Sequence, residues 1–230
     1  MRASLDGIGV AQKSAFRRTR HMPSPWVPEK KAAWIMAAIV AAEGTWVGFN
    51  VATNGRGFCR YLGLLPGSNT GVWPGWFLAA IVTLLFVIRA SRLPSVRANL
   101  FKPSRLKVLA LALAVSAGIL EEVFFRRLPM DYLQNRDFGP FPQIAASAFL
   151  FGIVHGTWAL MGKSLSAGWG ATLATGALGA ALAVVYLAGG RSLAPCVGAH
   201  FAINVFIESG LGLAATRGEM GRRRHSAQSV

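Results

Sequence analysis

The sequence predicts an all-α protein, a polytopic helical transmembrane bundle of about six spans. Three observations carry that expectation. Hydrophobic residues make up 53% of the 230-residue chain and charged residues only 14%, where a soluble domain carries about 25% charged residues. The charges are also clustered, with most Lys and Arg in the first thirty residues, in 89–107 and in the last fifteen. Between those clusters run apolar segments close to the ~20 residues that a membrane-crossing helix needs.

Met1 to Lys31 is basic, holds Pro23, Pro25 and Pro28, and has no small-residue cleavage site after it. It reads as a disordered cytosolic arm and not as a signal peptide. Ala32 to Val51 is the first span and carries Glu43 near its middle, and Asn54 to Gly71 is a Gly-rich polar loop. Val72 to Ile88 is a shorter second span, opened by Trp73, Pro74 and Trp76, which suit a membrane interface. Residues 32–107 thus form two accessory spans and a basic loop. That loop holds Arg89, Arg92, Arg97, Lys102, Arg105 and Lys107.

The core of the chain is 108–213. Val108 to Phe125 is the third span, and Pro129 permits a kink or stop beyond it. Gln143 to Leu160 is the fourth, with His155 inside it. Trp169 to Ala188 is the fifth, and its Gly176 and Ala180 make a small-xxx-small pair of the kind that packs helices closely. Leu193 to Leu213 is the sixth, with His200, Asn204 and Glu208. Residues 214–230 are a basic tail. Cation counting places both termini in the cytoplasm, although Arg126, Arg127 and Arg136 weaken the count at the third loop.

The net charge of +15 would suggest nucleic acid in a soluble protein. Here the cations flank apolar spans and meet anionic lipid headgroups, so the expected partner is the lipid membrane, with no nucleic acid. Cys59 and Cys196 fit neither a metal spacing nor a disulfide framework.

Charge inside a membrane is costly and marks function. The third span ends in Glu121-Glu122-Val123-Phe124-Phe125-Arg126. On a helix, Glu122 and Arg126 share a face and can neutralise each other. Glu121 is turned away by about 100° and left without a sequence-local partner, free for general-base work. Taken alone, the three charges would equally serve to anchor a helix end at the interface. Phe151 and His155 share one helical face, and so do His200 and Asn204, with Glu208 a turn further on. His21 and His225 lie in the tails. One carboxylate, two imidazoles and one amide, with no convincing Ser or Cys nucleophile, suit amide hydrolysis by direct water attack. Two His and one Glu could also hold Zn²⁺, leaving a position for water. The residues favour a metal-free glutamate mechanism, with Glu121, His155 and His200 as the donors if a metal is held.

Together and in this order, Glu-Glu-x-x-x-Arg at 121–126, Phe-x-x-x-His at 151–155 and His-x-x-x-Asn at 200–204 resemble the motifs of the CPBP family, also called the Abi or CAAX protease family. The resemblance spans about 108 to 213. It implies an intramembrane endopeptidase, named in the family as a metalloprotease, that acts on a peptide or lipidated protein in a bacterial cell membrane. By the resemblance, Glu121 activates water with help from His155, and His200 and Asn204 stabilise the oxyanion. Glu122 and Arg126 support the site or hold the substrate end. Two alternatives stand beside this reading. One is a non-catalytic immunity or scaffold protein. The other is a proton or ion transporter using Glu43, Glu121, His155 and His200, against which the lack of an internal repeat argues.

Overall fold

Every regular element among the described residues is a helix, as the long apolar runs require in a medium where backbone groups have no water to bond. The computed structural model describes residues 26–157 and 165–220. The expected disordered arm at 1–31 falls mostly outside them, as do His21 and His225.

In chain order the elements are α1 (Trp26–Tyr61), α2 (Trp73–Ala90), α3 (Pro94–Asn99), α4 (Arg105–Glu122), a π-helical turn (Val123–Arg127), α5 (Leu128–Gln134), α6 (Pro140–His155), α7 (Leu165–Ala188) and α8 (Ala194–Thr216). Five helical stretches are long and apolar enough to cross a membrane, and α6 is a shorter apolar helix. The expected fourth span is therefore a 16-residue helix that ends at His155.

Several boundaries differ from the sequence reading. The first helix starts at Trp26, inside the expected arm, and runs to Tyr61, through the first part of the expected loop. Asn54 does interrupt it, with φ −154° and ψ 57°. Its Oδ1 accepts the Gly57 N–H at 3.1 Å, so Asn54 caps a second helical segment instead of ending the first in a loop. The basic loop contains α3. The third span does not stop at Phe125: α4, the π turn and α5 form one helical rod, Arg105–Gln134, about 45 Å long at 1.5 Å per residue. Pro129 sits in the first turn of α5, where the wider π turn before it absorbs the missing N–H.

The central helices are ordered by three contacts. Ala32, Met36, Leu106, Ala110 and Leu213 share one apolar cluster. Further along, Ser116 of α4 meets Glu43 of α1, and Glu122 of α4 meets His200 of α8. Helices α1 and α4 therefore run the same way and α8 runs against them. The start of α1, the basic loop and the end of α8 gather at one end of the bundle. The small-residue face of α7 packs on α6: a Cβ on Gly152 would lie 2.8 Å from the Thr172 carbonyl and 3.1 Å from Gly176 Cα. Gly176 does serve close packing, and Gly179 joins it at the crossing, against Phe151 Cβ.

Candidate active site

The long rod carries the acidic pair, and the π turn begins directly after it. Such turns insert an extra residue into the helical ladder and recur at functional sites. Here the widened turn holds Val123 to Arg127, with Val123 and Arg126 buried. Because α5 continues upward and α6 returns alongside it, the last residue of α6, His155, comes back to the level of Glu121. The rod's extension past Arg126 thus brings the third and fourth apolar segments together in depth.

Glu122 and Arg126 have no exposed side-chain surface, and Arg126 Nε lies 3.1 Å from Glu122 Oε2. The pair expected from their spacing is present. Glu122 also makes a contact that no local spacing signals: its Oε1 accepts a 2.6 Å hydrogen bond from His200 Nδ1 on α8. Phe151 likewise has a larger part than a helix-face neighbour. Its ring receives the Arg126 guanidinium, with Cζ 4.2 Å from the centroid. It packs at 4.4 Å on the His155 ring and edge-on to the His200 ring at 5.9 Å. A guanidinium stripped of water is held by one carboxylate and one aromatic face.

The tautomers follow from the partners. A carboxylate and a carbonyl only accept, so His200 Nδ1 donates to Glu122, and His155 Nδ1 donates to the Phe151 carbonyl at 2.8 Å. In the neutral rings each Nε2 then presents a lone pair. Both point toward Glu121: its Oε2 is 3.8 Å from His155 Nε2 and 3.6 Å from His200 Nε2. These separations exceed hydrogen-bond length, and Glu121 Oε2 is buried with no hydrogen-bond partner. Three acceptors converging on one small space call for a donor between them, which is what a water molecule supplies.

Asn204 lies one turn from His200 on the same helix and is buried. Its carboxamide makes no hydrogen bond among the described residues, so it is free to donate. Glu121 and His155 are the partly open members, at 14% and 19% exposure. A cavity of about 480 Å³ between α1 and the π turn is lined by Trp46, Asn50, Asn54, Phe58 and Tyr61 of α1 and by Val123, Phe124 and Leu128. Two imidazole nitrogens and a carboxylate are the donor types that zinc takes. Among the described residues, however, no three His, Cys, Asp or Glu side chains are grouped closely enough to hold an ion.

Residues 103–206 match the family model described as Type II CAAX prenyl endopeptidase Rce1-like. The chain carries an Rce1-like domain. The matched segment is somewhat under half of the chain and runs from the start of α4 to the middle of α8, so it includes all three motifs. At family level this domain is a CAAX-type intramembrane endopeptidase, a hydrolase that takes a peptide or protein in the membrane. Its five apolar spans make the chain an integral membrane protein. No curated protein and no solved structure matches the chain. Glu43 and Glu208 fall outside the Rce1-like segment.

Proposed function

We propose that the chain hydrolyses a peptide bond near the end of a lipidated protein or membrane-bound peptide, using water activated by Glu121. The observation that carries this reading is the convergence of Glu121 Oε2 with the Nε2 atoms of His155 and His200 at 3.8 and 3.6 Å. A water in front of Glu121 donates hydrogen bonds to Glu121 Oε2 and His155 Nε2. As its oxygen attacks the scissile carbonyl carbon, Glu121 takes one proton and passes it to the leaving nitrogen, and the other proton stays on the oxygen that enters the new carboxyl group. His200 and Asn204 face the developing oxyanion from α8, and the Asn204 amide donates to it. His200 adds a second donor, Nε2–H, in its doubly protonated form, whose charge Glu122 on Nδ1 balances. Glu122, Arg126 and Phe151 hold His200 and His155 in place.

The cavity between α1 and the π turn, whose wall carries Trp46, Phe58, Tyr61 and Phe124 beside Asn50 and Asn54, suits the lipid-bearing end of such a substrate. The cations of the 89–107 loop support a cytoplasmic position for that end of the bundle and for both termini. A bacterial cell membrane is the setting that the family resemblance suggests. If Zn²⁺ is held, its donors are Glu121, His155 and His200.

The test is cleavage of quenched peptides, one carrying a prenylated CAAX tail, by protein in detergent. Turnover lost in Glu121→Ala and kept with a strong chelator supports the glutamate reading. Turnover lost with chelator and restored by Zn²⁺ assigns the metal. Turnover unchanged in Glu121→Ala refutes the site.

A further inference from the structure

Behind the catalytic centre, away from the open side of Glu121 and His155, the bundle buries acids that the mechanism does not use. Glu43 projects from the middle of α1, and its Oε2 accepts a 3.0 Å hydrogen bond from Ser116 Oγ. Ser116 is itself buried and precedes Glu121 by five residues on α4. Glu208 lies eight residues beyond His200 on α8, about 12 Å along the helix. Both acids are within electrostatic reach of Glu121 and His200. The cation that α4 sets against α8, Lys107, is occupied by the carbonyls of Val205 and Phe206 at 2.8 and 3.2 Å. Thus Glu208, then Glu43 with Ser116, then Glu121 form successive levels up the centre of the bundle.

Glu208 is 91% buried and has neither a hydrogen bond nor an ion pair among the described residues. It lines a crevice between α1 and α8. The crevice runs past Ala32, Met36, Gly212 and Ala215 to Thr216 at the end of α8. The crevice exists because Gly212 has no side chain: a Cβ there would be 3.5 Å from Ala32 Cβ and 3.6 Å from Met36 Sδ. It leaves about 10 Å³ open to the centre of a water molecule, and one water needs roughly 10–15 Å³ by that measure. An unpaired acid at membrane depth is expensive unless it faces water, and Thr216, the last residue of α8, closes the crevice only as a half-buried side chain.

Hydrolysis consumes one water per bond cut. Its oxygen enters the new carboxyl group, and the proton taken by Glu121 leaves on the amine, so no other reactant is needed. A peptide seated over Glu121 and His155 covers their open side, and water must then arrive from elsewhere. We propose that Glu208, Glu43 and Ser116 line a single-file water path from the α1–α8 crevice to the carboxylate of Glu121, and that hydrolytic water is delivered through it. The delivery step rests on the peptidase reading, whereas the path itself does not. Of the residues that line it, Glu43 and Glu208 lie outside the Rce1-like segment and Ser116 lies inside it.

Two readouts test it on the full chain in detergent. X-ray hydroxyl-radical footprinting oxidises buried side chains that touch bound water. Met36 on the crevice wall and Met130, away from it, are both almost fully buried. Met36 is expected to oxidise at least tenfold faster than Met130, in wild type and in Glu121→Ala alike, and to lose that excess in Glu208→Leu. In peptide cleavage, Glu208→Leu and Gly212→Leu are expected to lower kcat at least tenfold with KM within twofold. Glu208→Gln, which keeps a polar lining, is expected to stay within threefold of wild type. Glu208→Leu removes a buried acid, so a thermal melt at or above the wild-type midpoint shows that it folds. Equal oxidation of Met36 and Met130 in wild type overturns the path. A kcat for folded Glu208→Leu within twofold of wild type overturns delivery. If wild type cleaves no peptide, the peptidase reading fails, while the Met36 comparison still decides the path.

Discussion

Two neighbouring carboxylates are assigned opposite duties, and conservative substitutions separate them. In Glu122→Gln the shape is kept and the charge removed. Arg126, with no exposed surface, loses its only ion-pair partner among the described residues and retains only the face of Phe151. Breaking a buried pair from one side costs about 3–5 kcal/mol, because the other charge stays buried. The hydrogen bond from His200 survives, weakened, to a neutral amide oxygen. For chains of this size each kcal/mol moves Tm by about 2–4 °C, so Glu122→Gln is expected to melt at least about 6 °C below wild type. In Glu121→Gln nothing of that kind is lost: its contacts to the two imidazoles are 3.6 and 3.8 Å long and no hydrogen bond is broken. Its melt is expected within about 2 °C of wild type by the same conversion. Its turnover is expected to fall by about 10²–10⁴-fold, the usual worth of a general base. The assay is a thermal melt by fluorescence in detergent beside single-substrate kinetics. If Glu121→Gln were the less stable of the two, or kept more than about a tenth of wild-type turnover, the division of labour would be wrong. A double variant, Glu122→Gln with Arg126→Met, is expected to recover part of the lost stability, since replacing both partners of a buried pair costs far less than breaking it.

Phe151→Leu removes the aromatic face under Arg126 and is expected to cost about 2 kcal/mol, as for a desolvated cation–π contact, with kcat reduced because His155 and His200 both lean on that ring; melts and kinetics of the same preparation check it. Gly152→Ala places a methyl 2.8 Å from a backbone carbonyl of α7, which cannot yield as a side chain would. It is expected to destabilise by about 1–3 kcal/mol, as overpacking does. It should also lower kcat by displacing His155, three residues on, whereas Gly170→Ala, whose added Cβ meets nothing within 4 Å, should change neither.

What the sequence made legible follows from the physics of the membrane. Span length and charge clustering are set by bilayer thickness and by the cost of charge, so the helical architecture could be read from composition and run length. The Glu122–Arg126 pair could be read because it needs only helical spacing. The boundaries are less legible because a polar residue resembles a helix end. Asn54 caps a new helical segment within α1, and Arg126 and Arg127 look like a membrane exit but are both held against protein groups. Arg126 faces Glu122, and Arg127 stacks on Tyr61 and donates to its carbonyl at 2.6 Å. The contact of Glu122 with His200 was out of reach, because 78 residues separate them and no local pattern encodes the pairing of distant helices.

The rod's extra length decides how the site is assembled. Had the third apolar segment ended at Phe125, as its charge pattern suggested, the following helix would begin near the level of Glu121 and carry His155 about 20 Å away along its own axis. By continuing to Gln134, the rod gives α6 enough height to descend and finish at His155 beside Glu121. The top of that excursion is tied down where Asp131 of α5 takes Tyr186 at 2.9 Å and Arg191 at 2.6 Å. The buried Arg126 belongs to the same solution. A cation placed where the third segment seems to leave the membrane, but turned inward onto Glu122 and Phe151, lets the helix continue through the π turn without exposing a charge to lipid. The motif residues thus do two things at once. They shape the helix that sets the height of the site, and they orient the histidines that converge on Glu121.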